Sequence, residues 1–123
     1  MTLEKKQKGD TIVSFKYPLE VHSKLKIFAI LYRNGDLKNT LLDLVKTSKE
    51  VKTIYSPITN LKTIPLFTKH VKNCREGGFI ANESLHKKIK VMCVINNVSI
   101  SQLMYTIIFN NCKEYIKNHT PKP

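Results

Sequence analysis

VHSKLKIFAI, Val21 to Ile30, and LHKKIKVMCV, Leu85 to Val94, are two versions of one segment. Set one over the other, His22 meets His86, Lys24 meets Lys88, Lys26 meets Lys90 and Leu25 meets Ile89, at an offset of 64 (85 minus 21). A repeat changes how every other residue is read, because each copy becomes one supersecondary unit that cannot bury its apolar face alone. In both segments the apolar residues fall at helical spacing: Val21, Leu25, Phe28, Ala29 and Tyr32 in the first, Leu85, Ile89, Met92 and Cys93 in the second. Ile27, Ile30 and Leu31, like Val91, Val94 and Ile95, widen the apolar surface beyond one stripe. The two helices are therefore expected to be covered on two sides.

Outward from these helices the copies stay parallel. Downstream lie Asn34, Gly35 and Asp36 in one, and Asn96, Asn97, Val98 and Ser99 in the other. Gly35 and Asn97 suit the left-handed backbone that ends a helix, Asp36 and Ser99 read as N-caps, and Ser99 with Gln102 has capping-box spacing. Second helices follow, with Leu37, Leu41, Leu44 and Val45 against Ile100, Met104, Ile107 and Ile108, now offset by 63 (100 minus 37), as a one-residue deletion in the turn requires. Upstream, Thr11 to Tyr17 alternates as a strand, with Val13, Phe15 and Tyr17 on one face and Ile12, Ser14 and Lys16 on the other, up to Pro18. Its counterpart, Glu76 to Ala81, is a poorer strand because of Gly77 and Gly78, though Phe79 stands 64 residues after Phe15. The expected organisation is a basic arm at 1–10, a first strand-helix-helix unit at 11–53, a linker at 54–73 and a second unit at 74–118. Pro57 and Pro65 break any period in the linker, while Ile58, Leu61, Ile64, Leu66 and Phe67 suggest that it packs along the core.

With 123 residues, the chain has room for one domain or for two small halves sharing a core. Lys and Arg number 21 against 9 Asp and Glu, a formal charge of +12. Such an excess is self-repulsive unless a polyanion neutralises it, and nucleic acid gains affinity in doing so through counterion release. An anionic membrane surface or an acidic protein would also serve. The apolar runs Val91 to Ile95 and Met104 to Phe109 are too short to span a bilayer, and the start MTLEKKQKGD is polar, so no transmembrane segment or signal peptide is expected, and nucleic acid is favoured over a membrane as the partner. Cys74, Cys93 and Cys112 form no CxxC pair, which supports neither a disulfide framework nor a zinc ribbon and fits a reducing cytoplasm, while the richness in Lys, Asn and Ile suggests an AT-rich genome compatible with a bacterial mobile element. Cys93, inside an apolar helical pattern, reads as a small core hydrophobe and not as a reactive thiol. No paired carboxylates, phosphate-binding glycine loop, nucleophile elbow or HExxH motif occurs, so neither catalysis nor a cofactor is expected. His22 and His86 occupy matched places, but no further ligands stand at metal-binding spacing, and both are expected to be exposed helix-surface histidines.

Strand, helix, tight turn, helix within about 45 residues, in a mostly basic surround, resembles the ribbon-helix-helix (MetJ/Arc-like) family. The likeness is nearest at VSFKYPLEV, Val13 to Val21, where Lys16 takes the place of a base-reading arginine and Tyr17-Pro18 that of Trp-Pro. NESLHKKIKVMCVINNVSISQLM, Asn82 to Met104, resembles the family's helix-turn-helix stretch. The family folds as intertwined dimers. Two units in one chain therefore imply a mainly α fold with a short two-stranded antiparallel ribbon, a tandem ribbon-helix-helix pseudo-dimer similar to the single-chain conjugation accessory proteins.

That resemblance implies a sequence-specific protein of double-stranded DNA whose ribbon enters the major groove. It makes Ile12, Ser14 and Lys16 the base-reading set of the first strand and Glu76, Gly78 and Ile80 that of the second, with two unlike strands implying an asymmetric site. For Lys16 a solvated edge charge remains open, and a register shift in the second strand would expose Arg75 in place of its neighbours. Backbone amides at Leu37 and Lys38, and at Ile100 and Ser101, would clamp phosphates, although ordinary capping uses the same features. Lys5, Lys6 and Lys8 form a basic arm for phosphate contact or a solubilising tail. The implied role is that of an accessory factor of a mobile element, in conjugation (relaxosome) or partition, with a relaxase or partition protein as partner. Alternatives are a transcriptional repressor, an antitoxin that binds a toxin and its own promoter, and an RNA- or ribosome-associated protein. Only about five residues, His119 to Pro123, are expected to follow the last helix, which weighs against the toxin-wrapping extension of an antitoxin unless the linker does that job.

Overall fold

A computed structural model describes residues 9–59, 61 and 74–121. The alternation of the first strand is realised in β1 (Thr11–Pro18), where Val13, Phe15 and Tyr17 are buried and Ile12, Ser14 and Lys16 exposed. Its partner is β2 (Cys74–Ala81), which pairs antiparallel from Thr11 opposite Ala81 to Pro18 opposite Cys74. The strand starts two residues earlier than its glycine-weakened sequence suggests. Phe79 and Ala81 turn inward, and Phe79 meets Phe15 edge-on at 5.9 Å between ring centroids.

Pro18 fixes the entry to α1 (Leu19–Tyr32), whose N-cap has no side-chain hydrogen bond. Val21, Leu25, Phe28 and Ala29 are buried where α1 packs against the ribbon, α2 (Leu37–Thr47) and α5 (Ile100–His119). The turn after α1 uses two left-handed residues, Asn34 (φ 53°) and Gly35 (φ 77°), and the Gly35 amide reaches back to Ala29 O at 2.8 Å. The turn after α4 (Glu83–Asn96) uses only Asn97 (φ 52°) and closes with Val98 N on Cys93 O at 3.1 Å. That missing residue is the slip from 64 to 63 in the repeat. Both expected N-caps form: the Asp36 carboxylate accepts from Asn39 N at 3.0 Å and the Ser99 hydroxyl from Gln102 N at 3.1 Å.

The copies then diverge. The second helix of the first copy stops at Ser48, whose hydroxyl donates to Val45 O and accepts from Val51 N, opening the short α3 (Lys49–Lys52). In the second copy α5 continues unbroken for 20 residues. Sixty-three positions on from Ser48 (111 minus 48) stands Asn111, buried within α5, whose Nδ2 donates to Glu50 Oε1 at 2.8 Å and to Ile107 O. Each second helix also crosses to the other copy's strand, α5 lying on β1 and α2 on β2. One apolar cluster results, running from Val13, Phe15 and Tyr17 through Leu25, Leu41 and Leu44 to Ile89, Met104 and Ile108.

The expected cover on a second side of the first helices is corrected. Ile27, Ile30 and Leu31 are each about 60% exposed, and Val94 is 80% exposed. Helical spacing identifies a face able to be buried, but the elements packed on α1 all meet its Val21, Leu25 and Phe28 side. Ile27 and Leu31 instead rim an open groove between α1 and α5, floored by Phe28 and closed by Phe109 and Ile116. Of the linker, Ile54 and Ile58 pack on the core, and Ile58 N donates to Asn96 Oδ1 at 2.8 Å. Its residues 60 and 62–73 lie outside the described residues, as do residues 1–8 of the arm.

Candidate nucleic-acid interface

Strand alternation and register together decide what the ribbon shows to solvent, because an antiparallel pair puts opposite residues on one face. Three such pairs form the outer face: Ile12 opposite Ile80, Ser14 opposite Gly78, and Lys16 opposite Glu76. All six residues singled out in the two strands thus share one surface. Ile12 is 61% exposed, a large apolar side chain held out in water. Gly78 is a close approach: a Cβ there would stand 2.9 Å from the Val13 carbonyl oxygen. The shift that would have turned Arg75 onto this face does not occur, since Arg75 lies opposite Tyr17, in the alternation shared with Gly77 and Phe79.

Behind the outer face the ribbon is pinned by a pair that local sequence did not announce. Tyr17 is fully buried, and its hydroxyl is hydrogen-bonded to His22 Nδ1 at 2.8 Å. Burial, reinforced by Cys112, pushes the Tyr17 phenol up to about 12. Burial also lowers His22, with Lys26 and Arg75 acting in the same direction through their charge. The expectation of two exposed surface histidines is corrected here: His22 and His86 are both half-buried, His22 because the strand-to-helix turn at Pro18 brings it back over Tyr17. The five-residue spacing of tyrosine and histidine around a proline was the available signal.

The helix starts are occupied to different degrees. The Leu37 amide already donates to Gly35 O at 3.0 Å and its side chain packs on the core, so at this end Lys38 alone presents an exposed side chain. Ile100 packs on the core and Ser101 is half-buried. Lys5, Lys6 and Lys8 lie outside the described residues. Gly9 (φ 90°), next to them, sits against the Glu83 side chain at the start of α4. The arm therefore joins the ribbon at its Ile12 and Ile80 end.

Comparison of the chain with protein-family models, with curated proteins and with solved structures finds no match in any of the three. Among the described residues no three His, Cys, Asp or Glu side chains gather where they would hold a metal ion. Burial pushes the Cys112 thiol up to about 11 and raises Cys93 as well, which keeps both protonated at neutral pH. No single helix among the described residues is long and apolar enough to cross a membrane. Only α4 and α5 together approach that composition, and they are bent 97° apart.

Proposed function

We propose that this chain binds double-stranded DNA by laying the β1–β2 ribbon in the major groove, its two strand-helix-helix copies serving as the halves of a pseudo-dimer. The observation that carries this reading is the register. Ser14 and Gly78 are opposite each other and are also equivalent in the repeat, 64 positions apart (78 minus 14). A half-turn about that pair exchanges the strands, which is the symmetry of a ribbon built from two like units. The crossing of α5 onto β1 and of α2 onto β2 fits the same exchange. Strands about 5 Å apart fit within a groove about 12 Å wide, where side chains of the outer face meet base edges. The charge of +12 supplies the phosphate attraction. The single-chain arrangement favours the role of accessory factor in conjugation or partition.

Fluorescence anisotropy with labelled duplex, single-stranded DNA and RNA tests the reading. Duplex is expected to be preferred, with affinity falling steeply as salt rises. Lys16→Ala is expected to cost about 1–3 kcal/mol of discrimination between cognate and random duplex. An equal loss on both would reassign Lys16 to phosphate contact, and preference for single-stranded RNA would overturn the reading.

A further inference from the structure

The half-turn that exchanges the strands does not exchange their outer side chains. It carries Ile12 onto Glu76 and Lys16 onto Ile80, since each pair is 64 apart in sequence. Because the strands run antiparallel, the two isoleucines end up opposite each other at one end and the two charged residues opposite each other at the other. Ser14 and Gly78, the smallest side chains of the set, lie between. The outer face is therefore chemically polarised along its length.

From this we infer that the ribbon reads a non-palindromic duplex site, with a G·C pair under Lys16 and Glu76 and thymine methyls under Ile12 and Ile80; the inference rests on the DNA-binding reading above. Lys16 and Glu76 set a donor beside an acceptor. The major-groove edge of G·C sets the acceptors O6 and N7 of guanine beside the N4 amino donor of cytosine, so the ammonium meets guanine and the carboxylate meets cytosine. A lone carboxylate among phosphates is repelled. With Lys16 across the ribbon the pair carries no net charge, and Glu76 is left to discriminate by hydrogen bonding. An A·T pair at this end would press the thymine methyl against charged groups. At the other end the situation reverses: two isoleucines offer no hydrogen bond to guanine or cytosine but bury apolar surface on methyl groups. Four residues separate the ends, about 14 Å of strand at 3.4 Å per residue, or about four base-pair steps.

Selection of bound duplexes from a random pool, with the whole chain and with the double variant Lys16→Glu/Glu76→Lys, tests this. The swap preserves composition, net charge and the opposition of a cationic to an anionic residue across the ribbon. The native chain is expected to select a non-palindromic motif with G·C at one end and A·T about four steps away. The swapped chain is expected to invert G·C to C·G with about a tenfold change in relative affinity, leaving the A·T end unchanged. A palindromic native motif, or a folded swap variant that keeps the original orientation, overturns the polarity while salt-dependent duplex binding leaves the ribbon reading in place. Absence of duplex binding by the native chain overturns both, and the native motif alone decides if the swap fails to fold.

Discussion

Gly77 is a glycine for want of room. A Cβ at that position would lie 2.6 Å from Tyr17 Cε1, 3.2 Å from Leu41 Cδ1 and 3.3 Å from Phe15 Cε2, all inside the core. Gly35 is the opposite case, with open space around it but a φ of 77°. Gly77→Ala is expected to cost about 1–3 kcal/mol in urea denaturation, as overpacking does. Gly35→Ala is expected to cost about 1 kcal/mol, most of it recovered by Gly35→Asn, because asparagine tolerates left-handed backbone. Equal rescue by asparagine at both sites would mean that Gly77 is needed for its conformation. Sequence alone registers Gly77 as a weak strand former, since the ring that fills its space comes from the opposite strand. The Tyr17 and His22 pair, by contrast, is local, marked in the sequence only by its five-residue spacing, and carries a pH dependence. The fold lowers the His22 pKa from its ordinary 6.5, so it favours neutral imidazole. That contribution is present above the unfolded value and is lost as pH falls through the lower folded one. His22→Gln is therefore expected to lose less stability than the native chain between neutral and mildly acid pH, and an NMR titration should place the native His22 midpoint below 6.5.

At the scale of elements, what is local in origin was legible and what is tertiary was not. The alternation of Val13, Phe15 and Tyr17 gives the inner face of β1 directly, and the Asp36 and Ser99 caps follow from side chains that bond amides three residues on. The unequal second helices did not follow, since Ser48 and Asn111 are both polar residues in helical surroundings. Their difference lies in Glu50, which is only 6% exposed and bonds to Asn111 across the interface of α3 and α5. A second bridge joins three helices: Tyr115 donates to Asp43 Oδ2 at 2.7 Å and accepts from Arg33 Nη1 at 3.0 Å, linking α5, α2 and the end of α1. Burial first, then Asp43, pushes the Tyr115 phenol up to about 12, which keeps this bridge protonated over the working range. Asn111→Ala strips a buried carboxylate of a partner and is expected to cost about 1–3 kcal/mol. Tyr115→Phe leaves Asp43 and Arg33 partly solvated and close to each other, and is expected to cost about 1 kcal/mol. The order of these two losses, measured by chemical denaturation, checks which bridge is the more deeply buried, and a larger loss at Tyr115 would reverse it.

For the whole molecule the question is what a single copy would leave uncovered. Phe15 and Tyr17 of the first copy lie in one cluster with Phe79, Met104 and Ile108 of the second, and α5 covers β1. Removing either copy would expose the inner side of the other's strand along with the buried stripe of its helices, so neither has a core of its own to fall back on. This interdependence is met equally by a pseudo-dimer closed within one chain and by copies that exchange partners between chains, and the two differ in that only the second arrangement responds to mass action. A self-contained chain is expected to unfold in one cooperative transition, with a midpoint that does not move over a hundredfold range of protein concentration. Light scattering at the lowest usable concentration should give the 14.2 kDa of one chain. A midpoint that climbs with concentration would mean that β1 of one molecule pairs with β2 of another. The ribbon would keep its outer face in that case, but each assembly would carry two ribbons instead of one, and under the proposed function the duplex site would double in length.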